Sequence, residues 1–437
     1  MTAYSSTLHW LYGLQYRGMK FGLRNILTLL RETGHPERSF PALHIAGTNG
    51  KGSTSSFLAS MLQEAGYRTG LYTSPHLVRF TERIRINGVE MPERRLVKYA
   101  NAIRPSVEAV QATFFEATTC IAFLYFADEE VDIAVIETGL GGRLDATNAL
   151  RPLLSIITNV GLEHTEILGT TLRQIAREKA GIIKKGIPVV TSADEPSVLR
   201  VLRQTAARRE ARLFVSGALV EPTVSGGRSG CSLVKMSTKN LSVGPVLLGL
   251  SGGHQIVNAS LAVAALQIAK GRGELQRLGV RQIEDGLRRV RKNTGLRARM
   301  EELTTSAGRV LMDVAHNPAG METLVRSLTG RGIRCPVVVF GVMKDKDAGA
   351  MLAVLSCLNC TVIAVASAVD RSLPAAAVEK LAKRAGIQVI LGSTVSSGIR
   401  KALLLAGPET LSGRSRILIT GSHYVVGEAL SYLEKST

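Results

Sequence analysis

The chain has 437 residues, 45% hydrophobic and 20% charged, and carries a net charge of +19 from 54 basic and 35 acidic residues. Such a mix excludes a disordered chain, five scattered cysteines exclude a disulfide framework, and no apolar run reaches the ~18 residues of a membrane span. The N-terminal MTAYSSTLHWLYGLQYRGMKFGL is interrupted by His9, Trp10 and Arg17 and shows no secretory cleavage site, so a cytoplasmic protein of two or three domains, with no membrane partner, is expected.

The first predicted elements alternate strand and helix. ALHIAG (Ala42 to Gly47), VDIAVIETG (Val131 to Gly139), LLSIITNVG (Leu153 to Gly161) and IPVVTS (Ile187 to Ser192) are short apolar runs rich in β-branched residues. Strands apolar on both faces predict a mainly parallel sheet covered by helices. The Gly-, Ser- and Thr-rich stretch 213–250 reads as a small antiparallel addition, and His254 to Lys270 as a helix. A second α/β set follows, with strands in RVLMDVAH, PVVVFGV, CTVIAVAS, IQVILGS and RILITGS. The boundary falls in NTGLRA, Asn293 to Ala298, giving units over 1–295 and 299–437. Cys357 and Cys360 form a lone CxxC, which reads as two ordinary thiols because a structural zinc needs four ligands.

The positive charge fits either nucleic acid or small polyanions such as ATP. Its densest stretch, Lys270 to Arg299, holds ten Lys and Arg residues and no aromatic residue on which a base would stack. Ile283, Leu287 and Val290 are spaced there like a buried helix face, so the reading is a solvated basic helix and no nucleic-acid partner.

The strongest motif is GTNGKGS, comprising Gly47, Thr48, Asn49, Gly50, Lys51, Gly52 and Ser53. It follows a strand and opens a helix. Glycines there let backbone N–H groups surround phosphate oxygens, the helix N-terminus adds partial positive charge, and Lys51 adds a full one. The spacing is shorter than GxxxxGK[ST], and Gly52 stands where the magnesium-binding hydroxyl usually follows the lysine. Another hydroxyl must then serve the metal. Ser74, after the strand-like GLYT, is one candidate. Glu137 and His164 lie at the ends of their own strands, where ligand-binding groups of parallel sheets gather. Magnesium prefers oxygen, which makes His164 the unusual member. A hydrogen-bonded turn histidine is its plain alternative.

GTNGKGS, TSPHL, ETGLGGRLDATN, EHTEILG, REKAGI and DVAHNP occur in this order. Together they resemble the folylpolyglutamate synthase and dihydrofolate synthase family, within the Mur-type ligases, over nearly the whole chain. The resemblance implies a P-loop ATPase domain followed by a smaller Rossmann-like domain. It implies a monomer that uses ATP and Mg2+ to join L-glutamate to a folate, and to dihydropteroate, through an acyl phosphate. A cell-wall Mur-type ligase and a nucleic-acid-binding P-loop ATPase are the competing readings.

The same resemblance distributes roles. Ser74, Glu137 and His164 match metal ligands. Lys179 matches a lysine that is carbamylated, its alternative being an ion pair with Glu178 or Glu163. Asn258 matches an asparagine near the adenine, Arg299 a nucleotide arginine that usually follows glycine, here Ala298, and Asp313 an aspartate on the ribose. Asp313 reads equally well as a helix N-cap. Arg83, His316 and Ser422 resemble residues holding the incoming glutamate, and Phe115, Glu116, Asp145 and Ala146 positions near the pterin. Each of these also has an ordinary structural reading: a surface arginine, a turn histidine, a strand-end serine, or core and loop residues.

Overall fold

Three sheets organise the chain in a computed structural model, which describes residues 2–18, 22–228, 230–305, 308–406 and 415–436. The largest contains β1 (Ala42–Ala46), β2 (Thr69–Tyr72), β3 (Ile84–Ile86), β4 (Val89–Glu90), β5 (Ile133–Glu137), β6 (Leu154–Ile157), β7 (Val189–Thr191) and β8 (Leu213–Val215). Their order is β4-β3-β2-β5-β1-β6-β7-β8. Strands from β2 to β8 across that order pair in parallel, and β3 and β4 add an antiparallel edge.

Every residue of β1, β5 and β6 is buried, which is why their sequences are apolar throughout rather than alternating. Neighbouring side chains still divide between two cores. Val135 packs with the helices Lys51–Glu64, His254–Gly271 and Val280–Thr294, whereas Ala134 and Ile136 pack with Arg24–Glu32, Glu93–Ala109 and Phe114–Asp128. Full burial of one such large aliphatic or aromatic side chain contributes about 1.5–3 kcal/mol, so this two-sided packing is what holds the strand ends in place.

The small sheet consists of β9 (Glu221–Arg228), β10 (Cys231–Ser237) and β11 (Ser242–Leu247), antiparallel in the order β11-β10-β9. The antiparallel addition expected from residue 213 thus starts later. Leu213–Val215 instead extends the parallel sheet, pairing with β7. The helix Val280–Thr294 turns Ile283, Leu287 and Val290 inward and spends Arg281 and Arg288 on Asp285 and Arg289 on Glu64, as a solvated basic helix should.

The third sheet has β12 (Glu301–Thr305), β13 (Gly308–Met312), β14 (Arg334–Phe340), β15 (Thr361–Ala366), β16 (Gln388–Thr394) and β17 (Ser415–Thr420). The order is β12-β13-β17-β14-β15-β16, parallel except at β12. The loop after β13 meets the loops after β1 and β6, and the loop after β14 meets the loop after β6. Between these two sets of strand ends lies the cleft that gathers the motifs.

Candidate active site

The loop after β1 is shaped by what glycine permits. Gly50 caps the helix Lys51–Glu64 at φ 85°, a left-handed conformation, and a Cβ there would stand 2.4 Å from Oδ1 of Asn258. A Cβ on Gly47 would lie 1.7 Å from the Thr158 hydroxyl. The loop is then tied to the segment after β6. Thr48 N donates to Asn159 O at 2.9 Å, Asn49 N to Asn159 Oδ1 at 2.8 Å, and the Thr158 hydroxyl to Asn49 O at 2.8 Å. Ser53 is buried in the first turn of the helix.

Two lysines converge on one acceptor. Lys51 Nζ donates to the carbonyls of Gly47 (3.1 Å) and Thr48 (3.2 Å), and Lys179 Nζ donates to the same Gly47 carbonyl at 2.8 Å. Lys179 is buried at the end of the helix Leu172–Ala180. Burial, and next the Lys51 charge, pull its pKa from 10.5 down to about 7. The ion pair with Glu178 read as one alternative does not form, because Glu178 pairs with Arg143 at 2.9 Å.

Glu137 ends β5 and is buried. Desolvation raises its carboxyl to about 6, although Lys51, the Ser74 N–H and Arg299 oppose that shift. Ser74 N donates to Glu137 Oε2 at 3.3 Å. A Cβ on Gly52 would stand 3.5 Å from Arg299 Nη2 and 3.8 Å from Glu137, ordinary contact distances, so the first turn of the helix enters between a carboxylate and a guanidinium.

Across the cleft, one carboxylate gathers three donors from the other unit. Glu163 Oε1 is 3.0 Å from His316 Nε2, 3.0 Å from Lys346 Nζ and 3.2 Å from Asn317 Nδ2. Burial alone would raise Glu163, but the His316 hydrogen bond and the charges of Lys346 and Lys51 hold it well below the usual carboxylate range. Asn317 Nδ2 also donates to Asn49 Oδ1 at 3.0 Å, which joins this wall to the phosphate loop. His316 is fixed from behind, its Nδ1 2.9 Å from Val314 O, and its ring centroid lies 5.1 Å from that of His423. His164 has a left-handed φ of 50°, with Nε2 3.2 Å from Lys346 Nζ. Burial, then Lys346, lower its pKa to about 4.

The remaining nucleotide candidates are ordered by backbone. Asp313, after β13, accepts from Met300 N and Ala315 N, both at 2.9 Å. It is therefore not the helix N-cap, which is Asn317. Ala298 stands at φ 57°, so alanine holds the left-handed turn that glycine would adopt more easily, and Arg299 is still delivered half-buried beside Glu137. Asn258 is buried over Gly50 and donates to Gln255 at 3.0 Å.

On the substrate side, Arg83 is buried rather than at the surface. Its Nε donates to His76 Nδ1 at 2.8 Å, and its guanidinium lies 5.3 Å from the Phe114 ring centroid. Phe115 packs on Tyr72 and crowds Gly139, where a Cβ would come within 2.5 Å. Glu116 forms a capping box with Thr113, and Asp145 accepts from Thr147 N and Leu140 N. Ala146 is buried at the start of the turn Ala146–Ala149, and Ser422 is buried with its hydroxyl accepting from Tyr424 N at 3.1 Å. The phosphate loop thus shares one cleft with Glu137, Arg299, Glu163 and His316, whereas Arg83 packs against His76 and Phe114 and the pterin candidates Phe115 and Ala146 belong to the neighbouring core.

Sequence reasoning missed Lys346, Asn317, His423 and the central place of Glu163. Lys346 had a legible signal, a charged KDKD just past the apolar run of β14.

Family models match both units: the Mur ligase middle domain over residues 45–266, and the Mur ligase glutamate ligase domain over 298–423. The dihydrofolate synthase/folylpolyglutamate synthase of Bacillus subtilis is 39% identical over 358 residues, covering 79% of this chain and 81% of that protein. This chain belongs to the folylpolyglutamate and dihydrofolate synthase family. The motif-based expectation of an ATP-dependent ligase of Mur type is borne out with it. Among solved structures, folylpolyglutamate synthase of Mycobacterium tuberculosis complexed with ADP is similar at TM-score 0.87 and 30% identity, covering 99% of each chain. FolC of E. coli in complex with DHPP and ADP is similar at TM-score 0.85 and 27% identity, covering 98% of each. Among the described residues no helix is long and apolar enough to cross a membrane.

Proposed function

We propose that this chain adds L-glutamate to a folate, and to dihydropteroate, by ATP-driven formation of an acyl phosphate. The observation that carries the reading is the glycine loop with Lys51 and Lys179, set opposite His316 and Arg299 across one cleft in a chain of this family. Residues 1–295 form the ATP-binding ligase unit and 299–437 the glutamate-binding unit. The protein works as a cytoplasmic monomer, without nucleic acid.

A carboxylate is a poor electrophile, and ATP corrects that. A folate carboxylate oxygen bonds to the γ-phosphorus while the bond to the bridging oxygen breaks and ADP leaves. The glutamate nitrogen then bonds to the acyl carbon, the C–O bond to phosphate breaks, and the amine loses its proton. Lys51 leaves the Gly47 carbonyl to neutralise the phosphoryl group in flight, which backbone N–H groups of Gly47 to Ser53 surround. Asn258, Arg299 and Asp313 hold the nucleotide. Arg83, His316 and Ser422 hold glutamate, and Phe115, Glu116, Asp145 and Ala146 border the pterin. Positioning supplies much of the acceleration.

Mg2+ fits the donors at hand. Glu137 is a buried carboxylate that burial leaves short of compensating charge, Ser74 lies against it, and His164 presents a ring nitrogen toward the cleft. Among the described residues no three His, Cys, Asp or Glu side chains form a ready-made cage, and the Ser74 hydroxyl would join Glu137 and His164 as a donor. Bound there, the ion would supply charge neutralisation for the phosphates.

Lys179 acts as its carbamate. The amine must be neutral to take up CO2, and burial beside Lys51 favours the neutral form. Mass spectrometry under non-acidic conditions should show the added carboxyl group, and Lys179→Ala should lose activity and regain part of it with formate or acetate. An unmodified lysine without rescue rejects the carbamate.

The acceptor reading is tested by incubating the protein with ATP, Mg2+ and labelled glutamate, plus dihydropteroate, a tetrahydrofolate or nucleic acid. Label should enter both pterin products. ATP turnover stimulated only by nucleic acid would replace the ligase reading.

A further inference from the structure

Lys346 stands in the loop between β14 and the helix Ala348–Leu355, yet its amine lies on the opposite wall of the cleft. Nζ is 3.0 Å from Glu163 Oε1 and 3.2 Å from His164 Nε2, and the side chain is only 10% exposed. The loop that carries it is pinned. Lys344 N donates to Arg371 O at 2.9 Å, Lys344 Nζ to Asp370 O at 2.8 Å, and Lys346 N to Met343 O at 3.2 Å. Only the four-carbon stem of Lys346 is free to swing.

An ammonium group has donors and no acceptor. Its approach to His164 Nε2 therefore uses the nitrogen's lone pair and leaves the ring proton on Nδ1, the side facing Asp345 Oδ2 at 3.9 Å. A divalent cation bound to His164 through Nε2 needs that same lone pair. One lone pair serves one of the two, and two cations a few ångströms apart repel each other.

We propose that Lys346 is a positioning residue that competes with the divalent cation: its ammonium holds Glu163 and His164 Nε2 in place, and it withdraws when the ion takes that nitrogen. The inference rests on His164 being a metal ligand, as proposed above. It adds that the second unit contributes the group displaced, so arrival of the ion on one wall is felt on the other. Glu163 keeps His316 and Asn317 as donors after the withdrawal, so no bare buried carboxylate is left behind.

The test is Mn2+ binding to the full chain without nucleotide, read as free Mn2+ by electron paramagnetic resonance. Lys346→Met and Lys346→Gln remove the charge, and each should tighten Mn2+ binding by about fivefold or more, the scale of one like-charge repulsion near 4 Å in water. Lys346→Arg keeps the charge and should bind as the unaltered protein does. His164→Ala should weaken binding. Unchanged or weaker binding in both neutral variants, with His164→Ala weakened, overturns the competition while leaving the metal site standing. No effect of His164→Ala removes the metal-ligand reading and this inference together.

Discussion

On the phosphate-loop wall, Lys51 and Lys179 share one acceptor, the Gly47 carbonyl. On the facing wall, His316, Asn317 and Lys346 reach out to one carboxylate, Glu163. The first arrangement rests the Lys51 charge on a neutral oxygen, where a substrate anion can take it up. The second surrounds an anion with donors and is satisfied as it stands. Substrate phosphate is expected to relieve the first wall, whereas motion of the second unit must break and remake the contacts of the second. Binding energy and closure are thus assigned to different residues, and each can be attacked separately.

The hardest blow to the first wall is Lys51→Ala. It removes a cation placed for the phosphoryl group, and steady-state turnover should fall about a hundredfold or more while the melting curve is retained. Near-normal turnover removes Lys51 from the chemistry. Glu163→Gln attacks the second wall by removing the charge that three donors share. Hydrogen bonds to charged groups contribute about 1.5–3 kcal/mol each, so kcat/KM should drop about tenfold or more. An unaltered value means the clamp plays no part in turnover.

A quieter contrast is the pH dependence of stability. The folded-state pKa of Lys179 is pulled from 10.5 to about 7. Between those values the unfolded chain binds the proton and the folded chain does not. Stability therefore rises with pH through that window, and the cost of charging a buried amine is fully present below it. In CO2-free buffer the melting temperature of the unaltered protein should gain on that of Lys179→Met between pH 7 and pH 10. Parallel curves would mean the amine is not desolvated. Smallest is Ala298→Gly. It relaxes a left-handed alanine in the segment joining the units, and should stabilise by up to about 1 kcal/mol after the entropy of glycine in the unfolded chain is subtracted. A lower melting temperature would show that the turn is not strained.

The sequence was most legible where chemistry and local backbone coincide. GTNGKGS declared its turn because only glycine fits beside Thr158 and Asn258, and the all-apolar runs declared a sheet buried on both faces. The edge strand Leu213–Val215 was misplaced because three residues carry no period that separates parallel from antiparallel pairing. The role of Asp313 stayed open because a strand-end aspartate looks the same whether it caps a helix or, as here, ties Met300 to Ala315. Lys346 and Asn317 were missed for another reason. Their partners, Glu163 and Asn49, lie 183 and 268 residues away in sequence, and only packing of the two units brings them together. Glu116 sat in the capping signature Thr113-x-x-Glu116, so its structural use was written locally.

In the proposed reaction a folate carboxylate oxygen attacks the γ-phosphorus of ATP. A folate labelled with 18O in its reacting carboxylate, turned over with ATP and glutamate, tests that step directly. One labelled oxygen should appear in inorganic phosphate for each glutamate added, with ADP as the other product. Phosphate free of label, or release of AMP and pyrophosphate, would contradict the acyl phosphate.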